Sequence, residues 1–559
     1  MAKEKNRIVG ISTGGHDVSY AILKDGRPEK HAELERYTRI KECAGDAVEF
    51  LLENEDLSDV SHVCNLINPY KGGIQKRFPE SWAKLRDTLN KTGGEYVEVG
   101  HHRSHAANAF FSSPYHESLI ITIDGGGYCD GTGEVKVTCV TVWVGQGNKI
   151  QHISTFPDAF NPGKFWSDCT KNIFGLSIGP PIGNQCGTVM GMAACGDPVK
   201  YVREFLEDPL FMHHQGFDEF TRPSDFVKKG GARNELPGFD FEKWAERAKE
   251  SETEQFNIAA GLQRATEIAM RQLITQIIEH THNVTNHKFD KLCLAGGVAL
   301  NSVMTGKLYE WFPHFSQIYI PPVPYDSGLA IGSPQYLYHH VMDNPRVDFG
   351  DCFTPYMGGE YNKREIMEVV NNTSGIEWRE ASADEVVDLL TEKKVVSLFG
   401  GPSECGRRAL GNRSIVADPR FDDIKDIVNE RVKHRQWFRP FAPSILWEKC
   451  GEWFDRPIPS PYMSFVSRFA TEPLEDKVPG VAHFDGTART QTVTKESNPW
   501  YHSFISKFDE KTGVPMILNT SFNDREPIVE TPQDAMNCFY KTEIDYLYYF
   551  DYNILVNKS

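Results

Sequence analysis

Leu119-Ile120-Ile121-Thr122-Ile123-Asp124-Gly125-Gly126-Gly127 is an apolar, β-branched run that stops on a short acid and three glycines. Such a run, closed by glycine, reads as a buried strand. The pattern returns at Lys291-Leu292-Cys293-Leu294-Ala295, which runs into Gly296-Gly297-Val298-Ala299-Leu300-Asn301. Between the two, Ile258, Leu262, Ala265, Ala269, Leu273 and Ile277 recur at helical spacing within Phe256–His280. Strands that end in glycine turns and alternate with helices predict an α/β fold. Upstream, Arg7–Ser12 ends in Thr13-Gly14-Gly15-His16-Asp17, and Tyr20–Leu23 then reaches the turn Lys24-Asp25-Gly26-Arg27. This is a hairpin whose tip can expose backbone N–H groups. Downstream, Asn344-Pro345, Thr354-Pro355 and Gly358-Gly359 loosen the pattern, which resumes at Val395–Phe399. The division expected is therefore residues 1–350 as two α/β lobes, 351–380 as a linker region and 381–559 as a second α/β domain. No repeat is visible. The polar stretch Phe217–Thr253, with Lys228-Lys229-Gly230-Gly231, reads as a surface loop.

The chain has 559 residues, 40% hydrophobic and 25% charged, which excludes a mainly disordered chain, a collagen or a coiled coil. Lys plus Arg number 60 against 77 Asp plus Glu, a net charge of −17. Such a balance disfavours nucleic acid and anionic membrane as passive partners, although a local basic groove escapes the average. No stretch approaches the ~20 apolar residues of a membrane span, and the opening residues lack the apolar core of a signal peptide. The 12 cysteines include no CxxC pair, so free buried thiols and a cytoplasmic location are expected.

Glycine turns let a backbone approach phosphate oxygens closely. Three of them, two closing strands and one at a hairpin tip, are compatible with a nucleotide between two lobes; three unrelated turns remain the plainer alternative. In His101-His102-Arg103-Ser104-His105-Ala106-Ala107, a helix would put His101 and His105 on one face, with His102 pointing elsewhere. Two imidazoles form half a site for Fe²⁺, Mn²⁺ or Zn²⁺, and ordinary packing is the alternative. Asp124, at a strand's C-terminal end, and Asp326, in Pro324-Tyr325-Asp326-Ser327-Gly328, are short acids before glycine that would supply oxygen ligands. Arg407, Arg408, Arg413, Lys433, Arg435 and Arg439 are interleaved with Gly, Pro and aromatics over residues 400–443. That composition favours an anion pocket over a solvated helix face. Asn519-Thr520-Ser521-Phe522-Asn523 would add hydroxyl and amide groups.

Together these motifs resemble the O-carbamoyltransferases of the NodU/CmcH family over nearly the whole chain. The resemblance rests on Gly10…His16-Asp17, Glu35-Arg36…Arg39, HHRSHAA, IDGGG, VMGMAACG (189–196), AGGVALN, YDSGLAIG, RALGNRS, FRPFAPS and NTSFN. It implies a TsaD-like ATPase domain, of the actin, sugar-kinase and heat-shock-chaperone type, followed by a YrdC-like α/β domain. It also implies carbamoyl-adenylate formation from ATP (with Mg²⁺) and carbamoyl phosphate, then transfer to the hydroxyl of a natural product, sugar or nucleotide. On this resemblance His101, His105, Asp124 and Asp326 hold a metal, Fe²⁺ in the family, with Mn²⁺ or Zn²⁺ equally suited to the ligands. Gly125, Gly126, Gly296, Gly297 and Asn301 contact the adenylate. Arg408, Lys433 and Arg439 clamp carbamoyl phosphate, with Arg413 and Ser521 beside them. His16 serves transfer as a general base, given a pKa near neutrality. A homodimer is compatible with this reading. So are two alternatives: carbamoylation of a hydroxymethylated base in nucleic acid, and a non-catalytic nucleotide switch. Thr188, Arg407 and the missing glycine in Asn523–Val529 depart from the family pattern.

Overall fold

The computed structural model describes residues 7–13, 15–66, 78–129, 136–156, 161–177, 183–207, 239–350 and 352–559. Gly14 and the lysine-glycine part of the polar stretch 217–253 lie outside them. The chain forms two compact units: Met1–Glu35 with Glu42–Phe353, and Arg36–Lys41 with Thr354–Ser559.

The first unit holds two five-stranded sheets built to one plan. Strands β1 (Arg7–Ser12), β2 (Ser19–Lys24) and β3 (Arg27–Glu33) form an antiparallel meander. Strands β4 (Val60–Leu66) and β5 (Glu95–Val99) extend it in parallel, giving the order β3-β2-β1-β4-β5. In the second sheet β6 (Glu117–Cys129), β7 (Lys136–Gln146) and β8 (Lys149–Phe156) form the meander. Strands β9 (Lys291–Ala295) and β10 (Gln317–Tyr319) extend it, in the order β10-β9-β6-β7-β8. The topology is thus duplicated although the sequence shows no repeat, because a buried strand demands only apolar, β-branched residues, in whatever order. This duplicated α/β plan is the actin and sugar-kinase type of architecture expected.

The helix expected over Phe256–His280 runs from Glu252 to Thr285, with Ser251 capping the amide of Glu254 at 3.1 Å and Asn286 closing it in the left-handed region. Register then brings the glycine turns together. Thr122 on β6 pairs with Ala295, the last residue of β9, so β9 ends beside the point where β6 leaves its regular ladder, at the edge where ligands collect in open α/β sheets. Gly296 is obligatory there: its φ is +96°, and a Cβ would lie 2.0 Å from the carbonyl oxygen of Ile123.

The second unit is built on one nine-stranded mixed sheet. Its strands are β11 (Ile376–Glu380), β12 (Val396–Phe399), β13 (Arg413–Ala417), β14 (Ala442–Leu446), β15 (Phe465–Arg468), β16 (Thr487–Val493), β17 (Met516–Ser521), β18 (Tyr546–Tyr549) and β19 (Ile554–Lys558). Their order is β11-β19-β18-β12-β13-β17-β14-β16-β15. Within 351–380 the chain forms the helix Lys363–Asn372, started by an Asn362/Glu365 capping box, and the edge strand β11. Arg36 is buried within this unit and donates to the carbonyls of Glu404 (2.9 Å) and Gly406 (2.7 Å). Arg39 donates to those of Pro527 (2.5 Å) and Ile528 (2.8 Å). No disulfide joins the described cysteines. Among the described residues no helix is long and apolar enough to cross a membrane.

His339 of the first unit is buried against Phe111, ring centroids 4.7 Å apart, and burial pushes its pKa down to about 4. The unfolded chain takes up that proton near pH 6.5, so unfolding is favoured as the pH falls from 6.5 toward 4, by up to about 1.4 kcal/mol per pH unit. Denaturant unfolding from pH 7 to 4.5 should show the loss. A His339→Phe variant should lose less stability over that range; an unchanged slope would refute the assignment.

Candidate active site and metal centre

The helix His101–Phe111 begins after Gly100 and is buried along nearly its whole length. One turn separates His101 from His105, and both imidazoles face the end of β6. There the β6–β7 ladder breaks between Ile123 and Gly127, which frees Asp124 from the sheet. A Cβ on Gly127 would lie 2.1 Å from the His101 ring, so glycine at 127 makes room for that imidazole. His105 Nε2 lies 2.9 Å and His101 Nε2 3.2 Å from the same Asp124 Oδ2. Asp326 Oδ1 is 3.5 Å from His105 Nε2 and 3.7 Å from His101 Nε2. One ligand atom from each of the four residues falls within a sphere in which none is more than 4.8 Å from another. Ligands around one divalent ion at ~2.1 Å lie roughly 3–4 Å apart, so the set fits a cation with nitrogen and oxygen donors. The electrostatics agree. Burial opposes charge at His105, yet its bonds to Asp124 and Asp326 raise it to about 9. Asp124 is likewise opposed by burial but held well below the usual carboxylate range by His101 and His105. His102 turns away: burial and its two histidine neighbours push it down to about 3, and it donates to the Thr138 carbonyl while accepting from Thr122.

His16 sits at the rim. Its Nδ1 is 2.8 Å from Asp17 Oδ2 and its Nε2 4.0 Å from Asp326 Oδ2. The hydrogen bond to Asp17 and the charge of Asp326 raise it to about 9, although its side chain is 60% exposed and water screens part of that effect. Asp17 adopts φ +54°, a left-handed backbone rare outside glycine and frequent at functional sites.

Gly125 and Gly126 are exposed beside Asp124. Asn161 donates to the Gly125 carbonyl (2.8 Å) and caps the amide of Lys164 (2.9 Å), which sets the start of the helix Pro162–Asn172 against this turn. Asn-Pro before a helix is a start signal that sequence reading passed over. Gly297 adjoins Asp124, 3.2 Å separating a built Cβ from Oδ1. Asn301 caps the helix Ser302–Gly306 through the amide of Met304 (3.1 Å) and exchanges hydrogen bonds with Gln263.

In the second unit Lys433 is buried, its Nζ donating to the carbonyls of Asn523 (2.7 Å) and Ser521 (2.9 Å), to Ser521 Oγ (3.3 Å) and to Asn523 Oδ1. Burial and Arg435 push its pKa well down, while four oxygens around one nitrogen suit an ammonium. His434 beside it has φ +44°. Burial pushes Arg439 down to about 10. Burial, then repulsion from Arg439 and Arg489, holds Arg435 well below the guanidinium range; burial, then Arg408 and Arg439, does the same for Arg489. The concentration of positive charge around Arg489, with Arg408 and Arg439 against it and Arg435 against Arg439, is the kind of charge a phosphate relieves. Arg489 escaped sequence reading. It is a lone cation in the threonine-rich strand β16, distant in sequence from the residues 400–443, and only the fold brings it to Arg408 and Arg439. Arg413 is placed differently from its neighbours. Its guanidinium donates to the carbonyls of Gly400 (2.8 Å), Gly401 (3.2 Å), Asn412 (2.9 Å) and Gly359 (3.0 Å) and stacks 3.7 Å from the Phe399 ring centroid. It fastens backbone. Thr188 is buried in the helix Cys186–Ala193 and Arg407 is half-buried.

Comparison with known proteins places the two units in one context. Residues 75–334 match the family model of the carbamoyltransferase N-terminus and residues 387–556 that of the carbamoyltransferase C-terminus. An uncharacterized protein of Synechocystis is 31% identical over 97% of this chain and 95% of its own. Nodulation protein NolNO of Sinorhizobium fredii is 31% identical over 95% of this chain and 77% of its own. Among solved structures, HypF of T. kodakarensis is similar over 60% of this chain and 48% of that one, at 14% identity and a TM-score of 0.34, too distant to carry an argument. The chain belongs to the carbamoyltransferase family.

Proposed function

We propose that the protein is an ATP- and carbamoyl-phosphate-dependent O-carbamoyltransferase working through carbamoyl-adenylate. The observation that supports this most is the presence, in one carbamoyltransferase chain, of a buried lysine–arginine cluster in one unit and a two-histidine, two-aspartate cluster in the other. In the second unit, Arg408, Arg435, Arg439, Arg489 and Lys433 bind carbamoyl phosphate and the triphosphate of Mg·ATP. Carbamate, freed from carbamoyl phosphate by water with release of phosphate, attacks the α-phosphorus of ATP. A phosphorus–oxygen bond forms to carbamate, and the bond to pyrophosphate breaks. The cations neutralise charge on the oxygens as this happens.

In the first unit the acceptor's hydroxyl oxygen attacks the carbamoyl carbon, the carbon–oxygen bond to AMP breaks, and AMP leaves. His101, His105, Asp124 and Asp326 would hold a divalent ion, Fe²⁺ or its borderline relatives Mn²⁺ and Zn²⁺. When bound, the ion supplies Lewis-acid polarisation and a template for the carbamoyl oxygen. Gly125, Gly126 and Gly297 leave room for adenylate oxygens beside these side chains. His16, oriented at the rim by its hydrogen bond to Asp17, takes the acceptor's proton. ATP and carbamoyl phosphate as co-substrates make the cytoplasm its place of work.

The test is release of pyrophosphate and AMP from ATP and carbamoyl phosphate, first without acceptor and then with alcohols, sugars and hydroxymethyl-nucleosides, under anaerobic Fe²⁺. Pyrophosphate without acceptor and AMP stimulated by one acceptor class are expected. Neither product under any condition would overturn the reading.

A further inference from the structure

Three of the four ligand candidates sit on elements that hold their own shape: two on a buried helix, one at the end of a strand. Asp326 opens a helical run: the turn Asp326–Gly328 leads directly into the helix Leu329–Gln335, which supports it from its C-terminal side through the Leu329 amide on the carbonyls of Asp326 and Ser327. Its remaining supports come from elsewhere in the first unit. On its N-terminal flank the hydroxyl of Tyr325 is hydrogen-bonded to Glu33 Oε1, and both side chains are buried. On its C-terminal flank the carbonyl of Ser327 accepts from Ser19 Oγ (2.9 Å) and from His31 Nε2 (3.1 Å), with Ser327 Oγ 3.2 Å from the same nitrogen. Ser19 begins β2, while His31 and Glu33 end β3. A third fastening comes from the histidine helix: Asn108 donates to the Val323 carbonyl at 2.8 Å. A Cβ on Gly328 would sit 2.0 Å from that carbonyl and 2.6 Å from Asn108 Nδ2, so the turn is pressed against its support.

We propose that Glu33 and His31, acting through Tyr325 and Ser327, are positioning residues that hold Asp326 in ligand geometry, so that the meander of the first sheet sets the metal affinity of a centre on the second. The proposal rests on the metal reading given above. Ligand carboxylates whose supports are removed typically lose metal affinity by about 10–100-fold. Tyr325→Phe removes one hydroxyl and leaves the ring to pack. His31→Gln keeps an amide donor for the Ser327 carbonyl, whereas His31→Ala removes it.

The experiment is Mn²⁺ binding to the nucleotide-free protein, read from the EPR signal of the free ion, alongside thermal unfolding of each metal-free variant. A weakening of about 10–100-fold is expected for Tyr325→Phe and His31→Ala, with metal-free unfolding temperatures close to that of the parent. His31→Gln and Glu33→Gln should retain most of the affinity, since each preserves the hydrogen bond at issue. His105→Ala separates the two claims. If His105→Ala does not weaken Mn²⁺ binding, the metal reading falls and the positioning roles fall with it. If His105→Ala abolishes binding while Tyr325→Phe and His31→Ala bind as the parent does, the positioning roles alone are wrong. Equal loss in His31→Gln and His31→Ala would also overturn the hydrogen-bond argument.

Discussion

Replacing Lys433 with methionine is expected to cut pyrophosphate formation from ATP and carbamoyl phosphate about 10³-fold, equivalent to ~4 kcal/mol of transition-state stabilisation. Methionine fills the volume of the lysine stem, so packing survives while the buried cation goes. The cation matters because Nζ gathers Ser521 and Asn523, and Asn523 Oδ1 also accepts from Ser521 Oγ at 2.8 Å. One ammonium therefore orders the loop after β17 and carries positive charge into a site where Arg435, Arg439 and Arg489 already strain against one another. A purely structural lysine would show itself as a lower unfolding temperature with residual activity unmoved by added amines. A functional one should show partial rescue of Lys433→Ala by millimolar alkylammonium. Arg413→Lys is the contrast. A point charge cannot reach the carbonyls of Gly359, Gly400, Gly401 and Asn412 at once. That variant should lose about 3 kcal/mol or more of stability, with the remaining folded protein keeping most of its turnover. Normal stability in Arg413→Lys with lost pyrophosphate formation would reverse the two assignments.

Local chemistry was legible where neighbours in sequence are neighbours in space. The run 119–127 is a strand breaking on Asp124, and His101 and His105 lie on one helical face, because strand and helix periods are local properties. The spatial meeting of Asp326 with Asp124 needed more than local pattern, since 202 residues separate them and only sheet order brings the two segments together; here resemblance supplied what spacing could not. Arg413 shows the opposite limit. In sequence it is one of several arginines in a glycine-rich run, and nothing local distinguishes a guanidinium that binds an anion from one that binds four carbonyls. Arg489 is its mirror image, a lone cation in a strand that joins Arg408 and Arg439 only through the fold. Asn301 read as a ligand contact, and its side chain also caps a helix, work that nothing in its local sequence announces. The segment Arg36–Lys41 was singled out by resemblance, but its place in the second unit was not legible, because nothing local shows where its arginines bind. Its two arginines bind carbonyls more than 360 residues away along the chain, within the second unit.

Asp124→Asn is expected to lower carbamoyl transfer, measured as acceptor-dependent AMP release, by about 10³-fold while acceptor-free pyrophosphate formation stays within about threefold of the parent. The substitution is isosteric, so the break in the β6–β7 ladder and the close approach of Gly296 to Ile123 are undisturbed. What changes is the single oxygen, Oδ2, that both imidazoles face at 2.9 and 3.2 Å. An amide there carries no charge, so a bound dication loses an anionic donor and both imidazoles lose Asp124 as a carboxylate partner. A ligand set reduced from two carboxylates to one should bind metal more weakly, and excess Fe²⁺ or Mn²⁺ should restore part of the transfer rate without touching pyrophosphate formation. The asymmetry between the two half-reactions is the decisive part, because a variant that merely unfolds the first unit would not respond to metal. Equal loss of both half-reactions, or transfer that persists in metal-chelated Asp124→Asn, would remove Asp124 from the chemistry and leave the His/Asp cluster as buried ion pairing.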